Sequence, residues 1–359
     1  MNDRRPLHIL TYAQSLDGGG VERAMLRLVR GWATAGNRVS LVLGPAGDPR
    51  DVGIPDDVDV IAAGRSYLGL ASALPGAARR AIPDVVFCPG NHYGGAAAWL
   101  RWRLGRACPP IVAKISNRLD RDDQRFPVRQ GYRAWLRAHP RFLDHMVAMT
   151  PAMAVETIAM TGIAPGRVSV IANPPNVAPA GDPTPALDGD YLIGIGRLAP
   201  QKRWDRAIAA FARSARRDVK LMILGEGTER PALQRQIAAL DLTDRVVMPG
   251  YRANPLPALA GARALLLTSD FEGVPGVLEE ALAVGTPVIA TESSVAVREI
   301  VRDSRWGSVV PSADGRALVA ALNHWLGPEA ARPAPVPPRG ADAVERYLHL
   351  FDEVIRRVA

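Results

Sequence analysis

Cysteine is scarce in this sequence, with only Cys88 and Cys108 among 359 residues. These two residues match no spacing typical of a metal site. A chain of this length also needs no disulfide bond to compensate for a small core. The reducing cytosol is therefore the simplest compartment to expect.

Long hydrophobic runs are missing as well. No apolar stretch approaches the roughly 20 residues that a membrane-spanning helix needs. The N-terminus reads MNDRRPLHILTYAQ, and its basic residues precede only a few apolar ones, unlike a signal peptide. We therefore expect a cytoplasmic protein whose membrane contact is peripheral.

Acidic charge is in short supply only in the first half of the chain. Residues 1–176 contain 22 basic and 14 acidic side chains, whereas residues 177–359 contain 22 of each. Residues 101–141 alone hold eleven basic side chains against three acidic ones. The formal charge of +8 therefore reflects a local basic patch.

The remaining composition is that of a folded protein, with 48% hydrophobic and 22% charged residues. A chain of 359 residues exceeds what one hydrophobic core usually supports. Short apolar runs alternate with longer segments of helical period, which predicts parallel sheets covered on both faces. Two such series predict two doubly wound α/β domains. Their strands are LHILTY, RVSLVLG, DVVFCPG, PIVAKIS, HMVAMT and RVSVIAN, then YLIGIGRL, VKLMILGEG, RVVMPG, ARALLLTSD and TPVIATE.

Two proline-rich segments divide the chain. Residues 173–190 show no periodicity and are predicted to link the domains. Residues 331–340 precede a last amphipathic helix that must pack elsewhere. Its predicted apolar stripe consists of Val344, Tyr347, Leu348, Phe351, Ile355 and Val358.

Residues 194–212 begin with a turn of mixed character. Gly194, Gly196 and Ala199 fit a dinucleotide fingerprint, which alone suggests a nicotinamide enzyme. Arg197 and Lys202 flank the same turn, and two cations beside free helix N–H groups favour a diphosphate instead. A solvated turn without function is the third interpretation.

The stretch SDFEGVPGVLEEALAVG is rich in acids for this basic chain. Glu272 lies in a turn at the carboxyl end of a predicted strand, where open α/β sheets bind ligands. Glu279 and Glu280 flank the packed face of the next helix, and helical periodicity does not choose between them. Solvated surface acids are the alternative. In the first half, Gly18 to Gly20 allow close backbone approach to a ligand, or simply a tight turn.

These segments together resemble the retaining, GT-B-fold glycosyltransferases of family 4. The resemblance is carried by GGGVER at 18–23, IANP at 171–174, GRLAPQKRWD at 196–205, LGEGTER at 224–230, PGYRANP at 249–255 and EGVPGVLEEALAVGTPVIAT at 272–291. It implies two Rossmann-like domains facing a cleft, with a C-terminal helix returning to the N-domain. The expected domains are residues 1–176 for the acceptor, 177–338 for the nucleotide-sugar, and the helix 339–359.

The resemblance also assigns roles to residues. Arg197 and Lys202 neutralise the donor diphosphate and, with Glu272 on the transferred sugar, form the implied catalytic set. Glu280 binds the nucleotide ribose, which leaves Glu279 as a surface neighbour. The implied donor-binding set is Gly18, Gly19, Gly20, Gly196, Arg197, Lys202, Tyr251, Arg252, Gly273, Val274, Leu278 and Glu280.

Some positions depart from the family pattern. Many members place a histidine near the reacting sugar, where this sequence offers Ser116 and Asn117 or, from another loop, His92. The two Asp-x-Asp pairs at 57–59 and 188–190 lie away from the donor motifs. We interpret them as chance and expect neither a metal nor a cofactor, because Arg197 and Lys202 supply the positive charge.

The basic patch bears on the acceptor, which the N-domain binds in this architecture. Residues 99–141 interleave arginines with tryptophan, tyrosine and phenylalanine, a combination that suits an anionic membrane surface. A solvated basic face with its aromatic residues in the core is the alternative, and no nucleic-acid motif accompanies the charge.

The sequence therefore predicts a hexosyltransferase at the inner face of the plasma membrane. It would move a sugar from a nucleotide-sugar, with UDP slightly favoured over GDP, to a lipid-linked or polysaccharide acceptor. A sugar-nucleotide epimerase or hydrolase, and a catalytically silent nucleotide-binding partner of a polysaccharide assembly, are the alternatives.

Overall fold

A computed structural model describes residues 5–16, 19–44, 53–121, 125–176 and 181–358. The chain divides into two compact units, Met1–Pro174 with Gly340–Ala359 and Pro175–Arg339. The chain passes between them at 174/175 and 339/340, beside the expected boundaries at 176/177 and 338/339. Gly18, one of the predicted donor-binding residues, lies outside the described residues.

The first unit contains a seven-stranded parallel sheet with the strand order β3-β2-β1-β4-β5-β6-β7. Its strands are β1 His8–Ala13, β2 Arg38–Leu43, β3 Asp59–Ala62, β4 Val85–Cys88, β5 Ile111–Lys114, β6 His145–Ala148 and β7 Val168–Val170. Its helices are α1 Gly20–Thr34, α2 Tyr67–Ala81, α3 Gly94–Leu104, α4 Val128–Ala138, α5 Pro151–Thr161 and the last helix of the chain, α12 Ala343–Val358.

The second unit contains a six-stranded parallel sheet with the order β10-β9-β8-β11-β12-β13. Its strands are β8 Tyr191–Ile195, β9 Lys220–Leu224, β10 Val246–Gly250, β11 Ala264–Leu267, β12 Val288–Thr291 and β13 Gly307–Val310. Its helices are α6 Trp204–Ala212, α7 Arg230–Ala239, α8 Leu256–Gly261, α9 Gly276–Ala283, α10 Val295–Ile300 and α11 Gly315–Trp325.

The continuous apolar strands follow from burial on both faces. Along β8, Leu192 packs into one core while Tyr191 and Ile193 pack into the other. Helices α6, α7 and α11 cover the first face, and α8, α9 and α10 cover the second. The predicted fold, two doubly wound α/β domains, is confirmed.

Two strands escaped the sequence analysis. β3 is an exposed edge strand, and β13 is a four-residue run that begins with a glycine, so neither has a long apolar pattern. The predicted linker is also shorter than expected. Thr184 is buried and its N–H donates to the carbonyl of Asn254, so this part of residues 173–190 packs on the second unit.

The last helix packs on the first unit, as expected, but with a different stripe. Tyr347 and Phe351 contact Trp32 of α1 edge to face, at ring-centroid distances of 6.0 and 5.4 Å. Leu350 and Val354 are buried, whereas Val358 is 49% exposed. The predicted stripe is therefore wrong in the second half of the helix. Leu350 and Val354 belong to the buried face, and Val358, in the last turn, does not.

Candidate functional site

Strand order reverses between β8 and β11 in the second unit. The strand that follows β8 in the chain, β9, lies on one side of this pair, and the strand that follows β11, β12, lies on the other. Such a reversal opens a crevice at the carboxyl ends of the strands, where ligands bind in open α/β sheets. Two loops flank it, residues 196–203 after β8 and residues 268–275 after β11. Both loops carry predicted site residues.

Lys202 and Glu272 meet across this reversal. The Nζ atom of Lys202 lies 2.5 Å from Oε1 of Glu272, although the residues are 70 positions apart in the sequence. Their side chains are 15% and 11% exposed. The residue predicted to bind phosphate and the residue predicted to bind the sugar therefore form a largely buried ion pair. The sequence alone did not predict this contact.

Hydroxyl groups fix the loop that carries Glu272. Ser269 donates from Oγ to Oε1 of Glu272 at 2.6 Å, and Thr268 donates to the carbonyls of Lys202 and Arg203. Asp270 pairs with Arg206 at 2.6 Å. These residues were missed, although the run Thr-Ser-Asp at a strand end is the kind of polar cluster that marks such a loop.

Arg197 is exposed, and its guanidinium makes no hydrogen bond or ion pair with the described residues. The carbonyl of Arg197 accepts from Nε1 of Trp204 at 2.9 Å, which anchors the backbone of the turn. In the described part of the chain, this guanidinium therefore has no counter-ion, whereas Lys202 on the same loop has Glu272.

The glycines of this turn are required for packing, apart from any close approach of the backbone to a ligand. A Cβ at Gly194 would lie 2.4 Å from the Trp204 ring, so the indole requires a glycine there. A Cβ at Gly225, in the loop after β9, would lie 1.9 Å from the carbonyl of Gly196. The first glycine of the dinucleotide-like fingerprint is therefore explained by Trp204 rather than by a ligand.

The two glutamates of α9 differ in their partners. Oε1 of Glu280 accepts from Nδ2 of Asn176 at 3.1 Å. Glu279 pairs with Arg339 at 2.8 Å, and its side chain is only 16% exposed. The prediction that Glu279 is a surface residue is wrong, because the returning chain supplies an arginine that covers it.

The other residues predicted to bind the donor lie in different environments. Leu278 is fully buried in the core and its N–H donates to the carbonyl of Pro275, so its side chain packs the helix rather than facing a ligand. The carbonyl of Gly273 accepts from Oγ of Ser294 at 2.6 Å, and Val274 is half-buried. Tyr251 and Arg252 are exposed beyond β10, the edge strand two places from β8.

The sheet of the first unit reverses in the same way, between β1 and β4. Gly19 caps α1, and a Cβ there would meet Oε2 of Glu22 at 2.1 Å, so this carboxylate folds over the helix start. Tyr93 donates to Oε1 of Glu22 at 3.2 Å, and Nε2 of His92 lies 3.6 Å from it. Gly20 has open space around its Cα.

Two effects on the pKa of Glu22 oppose each other. Burial alone would raise its pKa, but the nearby His92 and the N–H of its own backbone lower the pKa overall. Of the other residues considered near the reacting sugar, Ser116 donates from Oγ to Oδ1 of Asn91 at 2.9 Å, and the N–H of Asn117 donates to the same oxygen. His92 is the more exposed of the candidates.

Lys114 is a buried cation that sequence reasoning missed, because it ends an otherwise apolar strand. It is 1% exposed, and its Nζ donates to Oδ1 of Asn173 at 3.2 Å. Burial, together with the nearby Arg27, lowers its pKa to about 7, while Glu22 opposes this shift. Asn173 of the IANP motif is therefore hydrogen-bonded to the last residue of β5.

The basic patch combines exposed and buried aromatic residues. Trp102 is 69% exposed and Phe126 is 80% exposed, whereas Phe142 is buried. The rings of Trp99 and Trp102 lie 4.9 Å apart, and the Arg103 guanidinium lies 5.5 and 5.9 Å from their centroids. In the described part of the chain, no helix is both long and apolar enough to cross a membrane.

Two family models match consecutive parts of the chain. Residues 18–178 match the model described as Glycosyltransferase Family 4, and residues 189–327 match Glycosyl transferases group 1. The chain belongs to this glycosyltransferase family. The resemblance stated from the motifs is thereby confirmed at the level of the family, and Lys202 and Glu272 lie within the residues that match group 1.

Two relatives of this chain carry names of glycosyltransferases. One is the N-acetylgalactosamine-N,N'-diacetylbacillosaminyl-diphospho-undecaprenol 4-alpha-N-acetylgalactosaminyltransferase of Campylobacter jejuni, 32% identical over 42% of this chain. Another is the lipopolysaccharide 1,6-galactosyltransferase of Escherichia coli, 30% identical over 52%. The matched parts cover 40% and 53% of these relatives, so the chain spans about half of their length or less.

Solved structures of similar fold cover nearly the whole chain. Anabaena Alr3699/HepE in complex with UDP and glucose gives a TM-score of 0.74 at 18% identity, covering 98% of this chain and 99% of that one. The lipopolysaccharide outer core galactosyltransferase WaaB gives 0.68 at 19% identity, covering 98% of both. At such low identity the likeness establishes the fold, which is GT-B.

Proposed function

We propose that the protein transfers a hexose from a nucleotide-sugar to a lipid-linked or polysaccharide acceptor. The observation that carries this proposal is the Lys202–Glu272 pair across the strand reversal of the second unit. A phosphate-binding cation and a hydroxyl-binding acid side by side are what the junction between a diphosphate and a sugar requires.

The chemical step requires stabilisation of a departing nucleoside diphosphate. Arg197 and Lys202 provide positive charge, each charge pair contributing about 4 kcal/mol at 4 Å and an effective dielectric constant of 20. We propose that these two residues make the reaction independent of a metal and of any cofactor. Glu272 and Glu280 accept hydrogen bonds from sugar and ribose hydroxyls and act in positioning, and the transfer proceeds with retention.

The nature of donor and acceptor is inferred from the relatives. Alr3699/HepE binds UDP and glucose, which favours UDP over GDP as the donor nucleotide. The C. jejuni relative acts on a diphospho-undecaprenol sugar, which supports a lipid-linked acceptor. Both assignments rest on similarity to these proteins.

We also propose that residues 99–141 contact an anionic membrane at the cytoplasmic face of the plasma membrane. The exposed Trp99 and Trp102 share one arginine, Arg103, so an aromatic and a cationic group face outward together. Such pairs suit the interface of an anionic bilayer. A lipid-linked acceptor would be met at this surface.

A thermal-shift panel tests the donor site. Ligand at 100 times its dissociation constant adds about 2.7 kcal/mol to the free energy of unfolding, which raises the melting temperature measurably. We expect UDP to protect the protein more than GDP or ADP. Absence of protection by all three nucleotides would refute the donor-site assignment.

Radiolabelled transfer to a bacterial lipid extract separates the alternatives. A glycosyltransferase moves label from the nucleotide-sugar into the lipid phase. A hydrolase releases free sugar, an epimerase changes the nucleotide-sugar itself, and a silent binding partner binds nucleotide without turnover. The presence of all four residues of the implied set favours sugar transfer over a catalytically silent binding partner. These residues are Arg197, Lys202, Glu272 and Glu280.

A further inference from the structure

Ser269 is a fully buried serine at the end of β11, and nothing so far gives it a role in the reaction. Its Oγ donates to Oε1 of Glu272 at 2.6 Å, the same oxygen that accepts from Lys202 at 2.5 Å. Its carbonyl accepts from Oγ1 of Thr291, on the neighbouring strand β12, at 2.6 Å. The serine is therefore held through its backbone as well as through its hydroxyl.

The backbone of Glu272 is also held. Its N–H donates to the carbonyl of Ser293 at 3.0 Å, and the next carbonyl, that of Gly273, accepts from Oγ of Ser294 at 2.6 Å. Ser293 and Ser294 are both buried. With the backbone fixed, the remaining freedom of Glu272 is the rotation of its own side chain.

The two carboxylate oxygens of Glu272 are used unequally. Both side-chain hydrogen bonds, from Lys202 and from Ser269, reach Oε1, and Oε2 has no hydrogen-bond partner among the described residues. A carboxylate only accepts hydrogen bonds, so Oε2 is the oxygen left for a ligand hydroxyl.

A diphosphate would compete with Glu272 for Lys202. If the lysine turns towards phosphate, Glu272 keeps a buried negative charge with a single donor to Oε1. A buried charge that lacks hydrogen-bond partners is costly. Ser269 is the partner that does not depend on the lysine.

We propose that Ser269 is a positioning residue, which holds Oε1 of Glu272 so that Oε2 meets a hydroxyl of the donor sugar while Lys202 engages the diphosphate. This inference rests on the proposed function. It predicts that the serine hydroxyl matters for the sugar part of the donor and not for the nucleotide part.

The test separates these two parts. Ser269→Ala should lower kcat/KM by about tenfold to a hundredfold with the UDP-hexose that best supports transfer, because it removes a hydrogen bond to a charged group. The dissociation constant of UDP, which lacks the sugar, should change less than about twofold. Calorimetry measures UDP binding, and labelled transfer to lipid extract measures kcat/KM.

A matched control is Ser214→Ala. Ser214 is 1% exposed in the same unit, and its Oγ donates to the carbonyl of Phe211 at 2.8 Å, in the turn after α6. This variant should keep wild-type kcat/KM. Ser269→Thr and Ser269→Val form a second comparison, because these side chains have the same shape and only threonine has the hydroxyl. Threonine should be the more active of the two by at least about fivefold.

Two results would overturn the inference while leaving the proposed function intact. One is wild-type kcat/KM in Ser269→Ala, and the other is an equal loss of UDP affinity and kcat/KM. Failure of the wild-type protein to bind UDP or transfer sugar would refute the proposed function itself, and the inference with it.

Discussion

Glu279 and Glu280 are adjacent, and their described hydrogen bonds differ. Glu279 pairs with Arg339, and Glu280 accepts from the amide of Asn176. A carboxylate only accepts hydrogen bonds, so either side chain suits a ribose hydroxyl by its chemistry. The assignment of the ribose contact to Glu280 rests on the family resemblance and stays a prediction.

This pair gives a matched test of nucleotide binding. Glu280→Ala should weaken UDP binding by about tenfold or more, because hydrogen bonds to a charged acceptor contribute about 1.5–3 kcal/mol. Glu279→Ala should leave UDP binding unchanged and lose only the contact to Arg339. Calorimetry with both variants measures the difference. Equal affinities in the two variants would contradict the ribose assignment.

Lys202 should matter most in the chemical step. Lys202→Ala removes one of two cations near the leaving group and should lower kcat by about a hundredfold, the usual effect of losing one preorganised charge donor. Lys202→Arg keeps the charge and should recover part of the rate. Single-turnover transfer with saturating donor measures this. Full activity of purified Lys202→Ala would refute the phosphate role.

Lys114 makes stability depend on pH. Its pKa is about 7 in the folded chain, below the usual value near 10.5, so above pH 7 the unfolded chain binds a proton that the folded chain lacks. The free energy of unfolding should therefore rise by about 1.5 kcal/mol from pH 7 to pH 8.5, and this gain is lost as pH falls to 7.

Lys114→Met isolates this contribution. Methionine fills similar volume without a charge, so the rise over this pH range should disappear in the variant. Urea unfolding of both proteins at both pH values measures it, and the difference between them isolates Lys114, because Cys88 and Cys108, whose pKa burial raises to about 11, contribute equally to both. An unchanged rise in the variant would show that another group is responsible.

At the scale of elements, α12 completes the core of the first unit. Phe351 is fully buried and contacts Trp32 and Phe87 at ring-centroid distances of 5.4 and 6.2 Å. An amphipathic helix after a proline-rich segment could have packed on either unit by its sequence alone. The aromatic cluster decides, because Tyr347 and Phe351 of α12 pack with Trp32 of α1 and Phe87 of β4, all in the first unit.

Phe351→Ala tests this packing. It should lower the free energy of unfolding by about 3–5 kcal/mol, the usual cost of a large cavity in a core. Val358→Ala, at a position 49% exposed, should change it by less than about 0.5 kcal/mol. Chemical denaturation measures both variants. Similar losses of unfolding free energy in the two variants would show that Val358 belongs to the buried face, as the sequence pattern predicted.

At the scale of the whole molecule, the uneven charge should direct the protein to anionic bilayers. The combined substitution Trp102→Ala and Arg103→Ala should reduce binding to phosphatidylglycerol vesicles by at least about fivefold, since one basic group near such a surface contributes about 1 kcal/mol. Val155→Ala, 69% exposed on α5, is the control. Sedimentation with anionic and neutral vesicles measures binding, and equal binding to both would argue against the membrane contact.

The sequence by itself determined the two doubly wound domains, their place in a glycosyltransferase family and the loops that hold the candidate site. Apolar strand patterns and strand-end motifs are local, so they can be recognised without coordinates. Only the tertiary structure decided that Lys202 pairs with Glu272, that Ser269 holds the same oxygen, and that Arg339 covers Glu279. The physical reason is strand order. β8 lies beside β11, and this brings together side chains 70 positions apart, a neighbourhood that no sequence window contains.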